Sequence, residues 1–323
     1  MTYNRSFQGY FVTGKWTSLV LQLMSLALAV VGFMLAPVDV ALSWGAHEMV
    51  ADGSLLVFLS LLCYIPVAII VGFVHLFERR TNWLPALFVW LVAVSLLQYG
   101  DIVSAFSTFL VSVAVSLLLY CQPGGMLERP IYTIFAIVGF SAFILPQFLY
   151  LLPLLVIGLL VGNVFSIKRA LAALLGVLTP FWLFYGIGYV YPEAGVLFLP
   201  LDSWMASAFT VSIAEPTPYR LLVLAMELMV MLPAMVVFAS SPLPSKPLLR
   251  RRILFIILLH IYLLLFSWLS SDNFELFYAW RLPAVAIMAS YLFTVKQTRA
   301  MNIYFLIINV VWLSIAVIGL WLR

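Results

Sequence analysis

Three ionisable residues sit inside long apolar runs, where a charge is costly and marks a site of pairing, binding or proton movement. They are Glu227, His260 and Arg281. At the helical rise, Glu227 lies about 10 Å and Arg281 about 6 Å in from the same end of their runs, so the two are close enough in depth to pair. Two chemistries follow from such a pair. One is a salt bridge between helices; the other is a site that binds a lipid phosphate or another anion. His260 reads either as a neutral histidine bonded across helices or as a proton relay. Polar residues at two tight turns add a second candidate, since Gln98 and Asp101 flank one turn and Gln147 lies in the other. If those turns dip below the membrane surface, the three side chains floor a cavity open to the outer side.

Other chemistries lack their residues. His47-Glu48 is followed by Ala51 where a metalloprotease helix needs its second histidine. The chain has no phosphate-loop glycines and no nucleophile elbow, and Cys63 and Cys121 have no ligand-like spacing. No metal and no cofactor is expected. Any catalysis must come from scattered acids and bases at the outer face.

The elements that hold these residues follow from composition. Of the 323 residues 65% are apolar and 9% charged, and the mean hydropathy is +1.16, far from the balance of a soluble domain. Runs near 16–35, 54–77, 83–98, 102–120, 171–190, 221–239, 253–270, 277–294 and 302–322 approach or exceed the length that crosses a bilayer. The first run is too long for a secretory leader and reads as a retained span. Ile131 to Ser166 carries no charge, with Arg129 before it and Lys168 and Arg169 after it. An even number of crossings keeps these bases on one side, as the positive-inside rule requires. Spans at about 131–145 and 149–165, broken at Leu145-Pro146-Gln147, satisfy this, because a residue before proline avoids helical geometry.

The fold class expected is all-α: a polytopic membrane protein of about eleven spans in one domain, amino terminus inside and carboxyl terminus outside, with two short central hairpins. All bases then lie inside except Arg220, Arg281 and Arg323. Outside lie Asp39, Glu48, Asp52, Asp101, Glu193, Asp202, Glu215, Asp272 and Glu275. The outer loops 36–53 and 191–220 are expected to hold interfacial helices, the first from the stripe Asp39, Ser43, His47 and the second through "WMASAFTVSIA". The basic loop 240–252 serves topology and could hold anionic lipid. Gly158-x-x-x-Gly162 and Ala172-x-x-x-Gly176 read as helix-packing motifs. Trp182, Tyr185, Tyr189, Tyr191, Trp204, Tyr278 and Trp280 read as an outer aromatic belt, with Trp16 and Trp83 at the inner boundary.

The segment "LLPLLVIGLLVGNVFSIKRALAALLGVLTPFWLF", with "AVAIMASYLFTVKQTRAMNIYFLIIN" near the end, resembles an uncharacterised family of bacterial multi-pass inner-membrane proteins. More distantly, the order of features looks like the C-type glycosyltransferases, which use polyprenyl-phosphate sugars. That resemblance implies Asp39 as a general base on an acceptor hydroxyl. It also implies Arg281 or Arg220 as the partner of the lipid phosphate. The partners it implies are membrane lipids, with a polyprenyl-phosphate carrier among them and no nucleic acid. A lipid-linked sugar enzyme of the cell envelope, a transporter or flippase, and a non-catalytic scaffold are the functions that remain open.

Overall fold

A computed structural model describes residues 102–121, 123, 125–191, 212, 217–240, 247–295 and 298–321, with strand residues 40–44 and 47–51 and helical positions 16, 19, 20, 23, 24 and 27 of the first run. Helices dominate. In chain order they are α1 (Ile102–Tyr120), α2 (Glu128–Ile144), a 3-10 turn (Pro146–Tyr150), α3 (Leu151–Val161) and α4 (Ile167–Val190). These are followed by α5 (Pro218–Ser240), α6 (Pro247–Leu269), a short 3-10 turn (Ser271–Asn273), α7 (Phe274–Val295) and α8 (Arg299–Trp321). Four helical segments are long and apolar enough to cross a bilayer: Ile167–Val190, Pro218–Ser240, Pro247–Leu269 and Ser271–Val295. The chain is a helical membrane protein.

The uncharged stretch is broken where proline requires it. Leu145 is extended at φ −127°, ψ 100°, and its N–H closes α2 on the Ser141 carbonyl at 2.8 Å. α3 ends earlier than the expected 165. Asn163 adopts the left-handed φ of 56°, and Val164 N–H and Asn163 N–H bond the carbonyls of Leu159 and Leu160, both at 3.0 Å. This is a Schellman stop, and asparagine is among the few side chains that tolerate it. Ser166 then caps α4 by accepting from Arg169 N–H at 3.4 Å.

α2 and α4 pack in parallel. Near their starts the Arg169 guanidinium reaches Glu128 at 3.9 Å and the Gly125 carbonyl at 3.4 Å. Further along, Gly176 lies under Tyr132 and Ala136, and Gly139 under Val177. Phe140 meets Phe184 at 5.8 Å beyond them. Two parallel neighbours require the chain between them to return, so α3 runs back and the bases at both starts share one end of the bundle. α2 spans about 25 Å, and α3 with its 3-10 lead-in about 27 Å, both short of a 30 Å core.

The packing motifs divide. A Cβ on Gly176 would stand 2.5 Å from the Tyr132 carbonyl, and one on Gly158 2.6 Å from Leu118 and 2.7 Å from Phe255, so both glycines permit close helix approach. Gly162 meets only its own turn and the Val164 side chain. It belongs to the helix stop.

α7 is the axis of the bundle. Every residue from Phe274 to Phe293 except Glu275 is buried, and α1, α5 and α6 pack around it. A helix apolar on all faces finds its place inside others. α4 is its opposite: it packs on α2 and leaves Trp182 82% exposed. Pro233 in α5 cannot donate to the carbonyl four residues back, and that carbonyl, of Met229, accepts from the Tyr304 hydroxyl of α8.

Three expectations are corrected here. Residues 40–51 form no interfacial helix: β1 (Val40–Trp44) pairs antiparallel with β2 (His47–Ala51), from Val40 opposite Ala51 to Trp44 opposite His47. Val40 and Trp44 suit strands. In the second outer loop, Ser212 makes a parallel bridge with Ser270 instead of lying in a helix. It is held by bonds to Leu269 O at 3.1 Å and from Ser271 N at 2.8 Å. The remainder of that loop's expected helix lies outside the described residues. Tyr278 and Trp280 are core residues and not belt residues, because α7 is enclosed on all sides. The Trp280 indole donates to Ser107 Oγ at 2.8 Å and its ring lies 4.7 Å from Phe148. Trp182, Tyr185 and Tyr189 in the second half of α4, and Tyr191 just after it, are exposed.

Candidate functional site

α5 and α7 both start at the end of the bundle that carries Asp272 and Glu275, and they run side by side. Two ion pairs join them. At the surface rung, Arg220 Nη2 meets Glu275 Oε1 at 2.8 Å, with both side chains partly exposed. At the inner rung, Arg281 Nη2 meets Glu227 Oε2 at 3.0 Å, with side-chain exposures of 0% and 1%. The partners are seven residues apart on α5 and six on α7, which is about 10 Å along each helix. The depth estimate from the run ends therefore finds its partner in space.

The inner rung is enclosed by aromatic rings. Phe274, Tyr278 and Arg281 recur at helical spacing on α7, and the Arg281 guanidinium lies 5.7 Å from the Tyr278 ring and 6.0 Å from the Phe274 ring. Arg220 lies 5.0 Å from the same Phe274 ring, so both rungs contact one aromatic side chain. Tyr278 is held by a hydrogen bond from Trp312 of α8. From α6, His260 is 1% exposed and close enough to feel the charge of Arg281.

What this cluster lacks is alignment. The Arg281 to Glu227 contact is an ion pair without an in-line hydrogen bond, and Arg281 Nε, Nη1 and Nη2 have no hydrogen-bond acceptor among the described residues. Neither ring nitrogen of His260 has a hydrogen-bond partner among the described residues. The expected bond from His260 across helices is therefore not made among the described residues. Unmatched donors at this depth cost about 1–3 kcal/mol each, more when charged. Such a cluster is suited to exchanging partners: the guanidinium can take a carboxylate or a phosphate, and the histidine and glutamate can hold a proton.

Gln147 stands apart. Its Nε2 donates to Asn273 Oδ1 at 3.4 Å, tying the Pro146 turn to the short 3-10 turn before α7. Gln98, Asp101 and Asp39 lie outside the described residues. Glu275, the partner of Arg220, and Tyr278 were missed as members of the site. The spacing Phe274, Tyr278, Arg281 on one helix face was the available signal. Among the described residues no group of three or more His, Cys, Asp and Glu is arranged to hold a metal.

Comparison with family models, with curated proteins and with solved structures finds no match to this chain.

Proposed function

We propose that this chain is a multi-pass protein of a bacterial cytoplasmic membrane that carries an anionic group through the α5–α6–α7 core, as a transporter or flippase. The observation that supports this reading is the inner rung: a fully enclosed guanidinium with donors unmatched among the described residues, one carboxylate beside it, and a buried histidine of α6 within reach of its charge. Enclosing two charges costs several kcal/mol per ion, and an off-line pair recovers only part of that cost. Ionisable residues that face a bundle interior mark substrate and proton pathways.

The mechanism follows from exchange. With Glu227 ionised, its carboxylate occupies Arg281. A proton on Glu227 releases the guanidinium to a phosphate or carboxylate. By the positive-inside rule, the end with Arg129, Lys168, Arg169 and Arg250 to Arg252 faces the cytoplasm. The rungs then sit toward the outer leaflet, within an arrangement of eleven spans. A polyprenyl phosphate or its sugar conjugate is the anion that the resemblance to C-type glycosyltransferases suggests. Sugar transfer itself draws less support, because both arginines it would use are held by carboxylates. A scaffold of the envelope would need neither charge.

The test is thermal stability of the detergent-solubilised protein with inorganic phosphate and with polyprenyl phosphate as probes. Glu227→Gln frees the guanidinium permanently and should bind polyprenyl phosphate more tightly than wild type, with Tm rising by several degrees at saturating probe. The neutral pair Glu227→Gln/Arg281→Gln should show no shift. Tm values that neither probe moves in any of the three proteins would overturn the anion-carrying reading and leave the rung a structural pair.

A further inference from the structure

At the opposite end of the bundle, α1, α3 and α6 border a shallow, open recess of about 20 Å³. We propose that it binds an anionic phospholipid, with Arg251 holding the phosphate and an acyl chain lying against Leu118, Leu119 and Phe255. The recess exists because α3 is short and stops at Gly162, while Gly158 draws Leu118 and Phe255 close beneath it. Its upper wall is the first turn of α6, where Leu248, Arg251 and Arg252 line the opening.

Charge selects an anion. Arg251 is half-buried and makes no hydrogen bond or ion pair among the described residues, and Arg252 beside it is 7% exposed. Arg250, Arg129, Lys168 and Arg169 stand at the same end. Glu128 is the one acid there among the described residues, and it lies 3.9 Å from Arg169. The recess also lies at the start of α6, and a helix start adds favourable potential for a phosphate.

Apolar walls select a lipid over a free phosphate. Leu118, Leu119 and Phe255 line the recess, and Ile157, Leu160 and Leu254 remain exposed on α3 and α6. A chain of methylenes covers such a surface, whereas an inorganic ion leaves it bare. The recess also lies at the ends of its helices, at headgroup height. Basic pockets between membrane helices are a recurrent way to hold such headgroups.

The experiment is native mass spectrometry of the full-length protein delipidated in neutral detergent and titrated with phosphatidylglycerol or phosphatidylcholine. Wild type should bind one phosphatidylglycerol at least fivefold more tightly than phosphatidylcholine. Arg251→Gln should lose most of that preference, while Arg250→Gln, at an exposed position outside the recess, keeps it. Equal binding of the two lipids, or equal loss in both variants, would overturn the proposal. So would competition by millimolar inorganic phosphate as effective as that by the lipid, since the site would then take the free ion. If Arg251→Gln fails to fold, a photoactivatable phosphatidylglycerol on wild type decides: crosslinks to α1 and to the α6 segment around Phe255 support the site, and crosslinks elsewhere exclude it.

Discussion

Breaking the inner rung should cost far more than removing it whole. At 3.0 Å and an effective dielectric of about 20, the Glu227–Arg281 attraction is roughly 5–6 kcal/mol. Enclosing the two ions offsets several kcal/mol of this per ion. Glu227→Leu strands a guanidinium that is fully enclosed, and Arg281→Met strands a carboxylate in the same place. Each single change should destabilise by about 3–5 kcal/mol. The double variant Glu227→Leu/Arg281→Met replaces both ions by apolar groups of similar volume and should return to within about 1–2 kcal/mol of wild type. The assay is reversible unfolding in mixed micelles by stepwise addition of SDS, followed by tryptophan fluorescence, for all four proteins. Additive losses in the double variant would refute the reasoning, because they would mean the two charges are solvated independently and the rung is not a unit.

Other expectations test separate parts of the fold. Tyr304→Phe should cost about 1–2 kcal/mol in the same unfolding assay by orphaning the Met229 carbonyl. In a Pro233→Ala background, where the new N–H can take that carbonyl, the cost should vanish. Gly176→Ala drives a Cβ into the Tyr132 carbonyl at 2.5 Å and should destabilise by about 1–3 kcal/mol, whereas Gly186→Ala, with nothing within 4 Å, should be neutral. Burial raises the Cys121 thiol to about 11 against a smaller opposing pull from Arg169. In a Cys63→Ser variant, maleimide should therefore label the folded protein at pH 7.5 far more slowly than the SDS-unfolded chain, with labelling rising only as the pH nears 11. With both native cysteines removed, Gln147→Cys should react with an impermeant reagent from outside; reaction from the cytoplasmic face alone would reverse the assigned orientation.

Residue order alone was enough for everything that depends on transfer from water to lipid. Apolar runs, the uncharged stretch from Ile131 to Ser166 and the bases on either side of it led to a membrane protein, to an even number of crossings there and to a break at Leu145-Pro146. Local sterics and solvation act within a few residues, so they are legible without knowing any neighbour. The depths of Glu227 and Arg281 were legible for the same reason, since helical rise converts sequence position into height. Azimuth and partner were not. Whether Arg281 faced lipid, water or Glu227 depended on how α5 turns against α7, and Glu275 became the partner of Arg220 through the same packing. Trp280 looked like a belt residue because its height is right, yet the enclosure of α7 by α1, α5 and α6 made it core. The stripe of Asp39, Ser43 and His47 fitted a helix, while antiparallel pairing of Val40–Trp44 with His47–Ala51 was the arrangement adopted. The basic recess likewise needed three helices from distant parts of the chain to meet, and only their packing placed Arg251 beside Leu118.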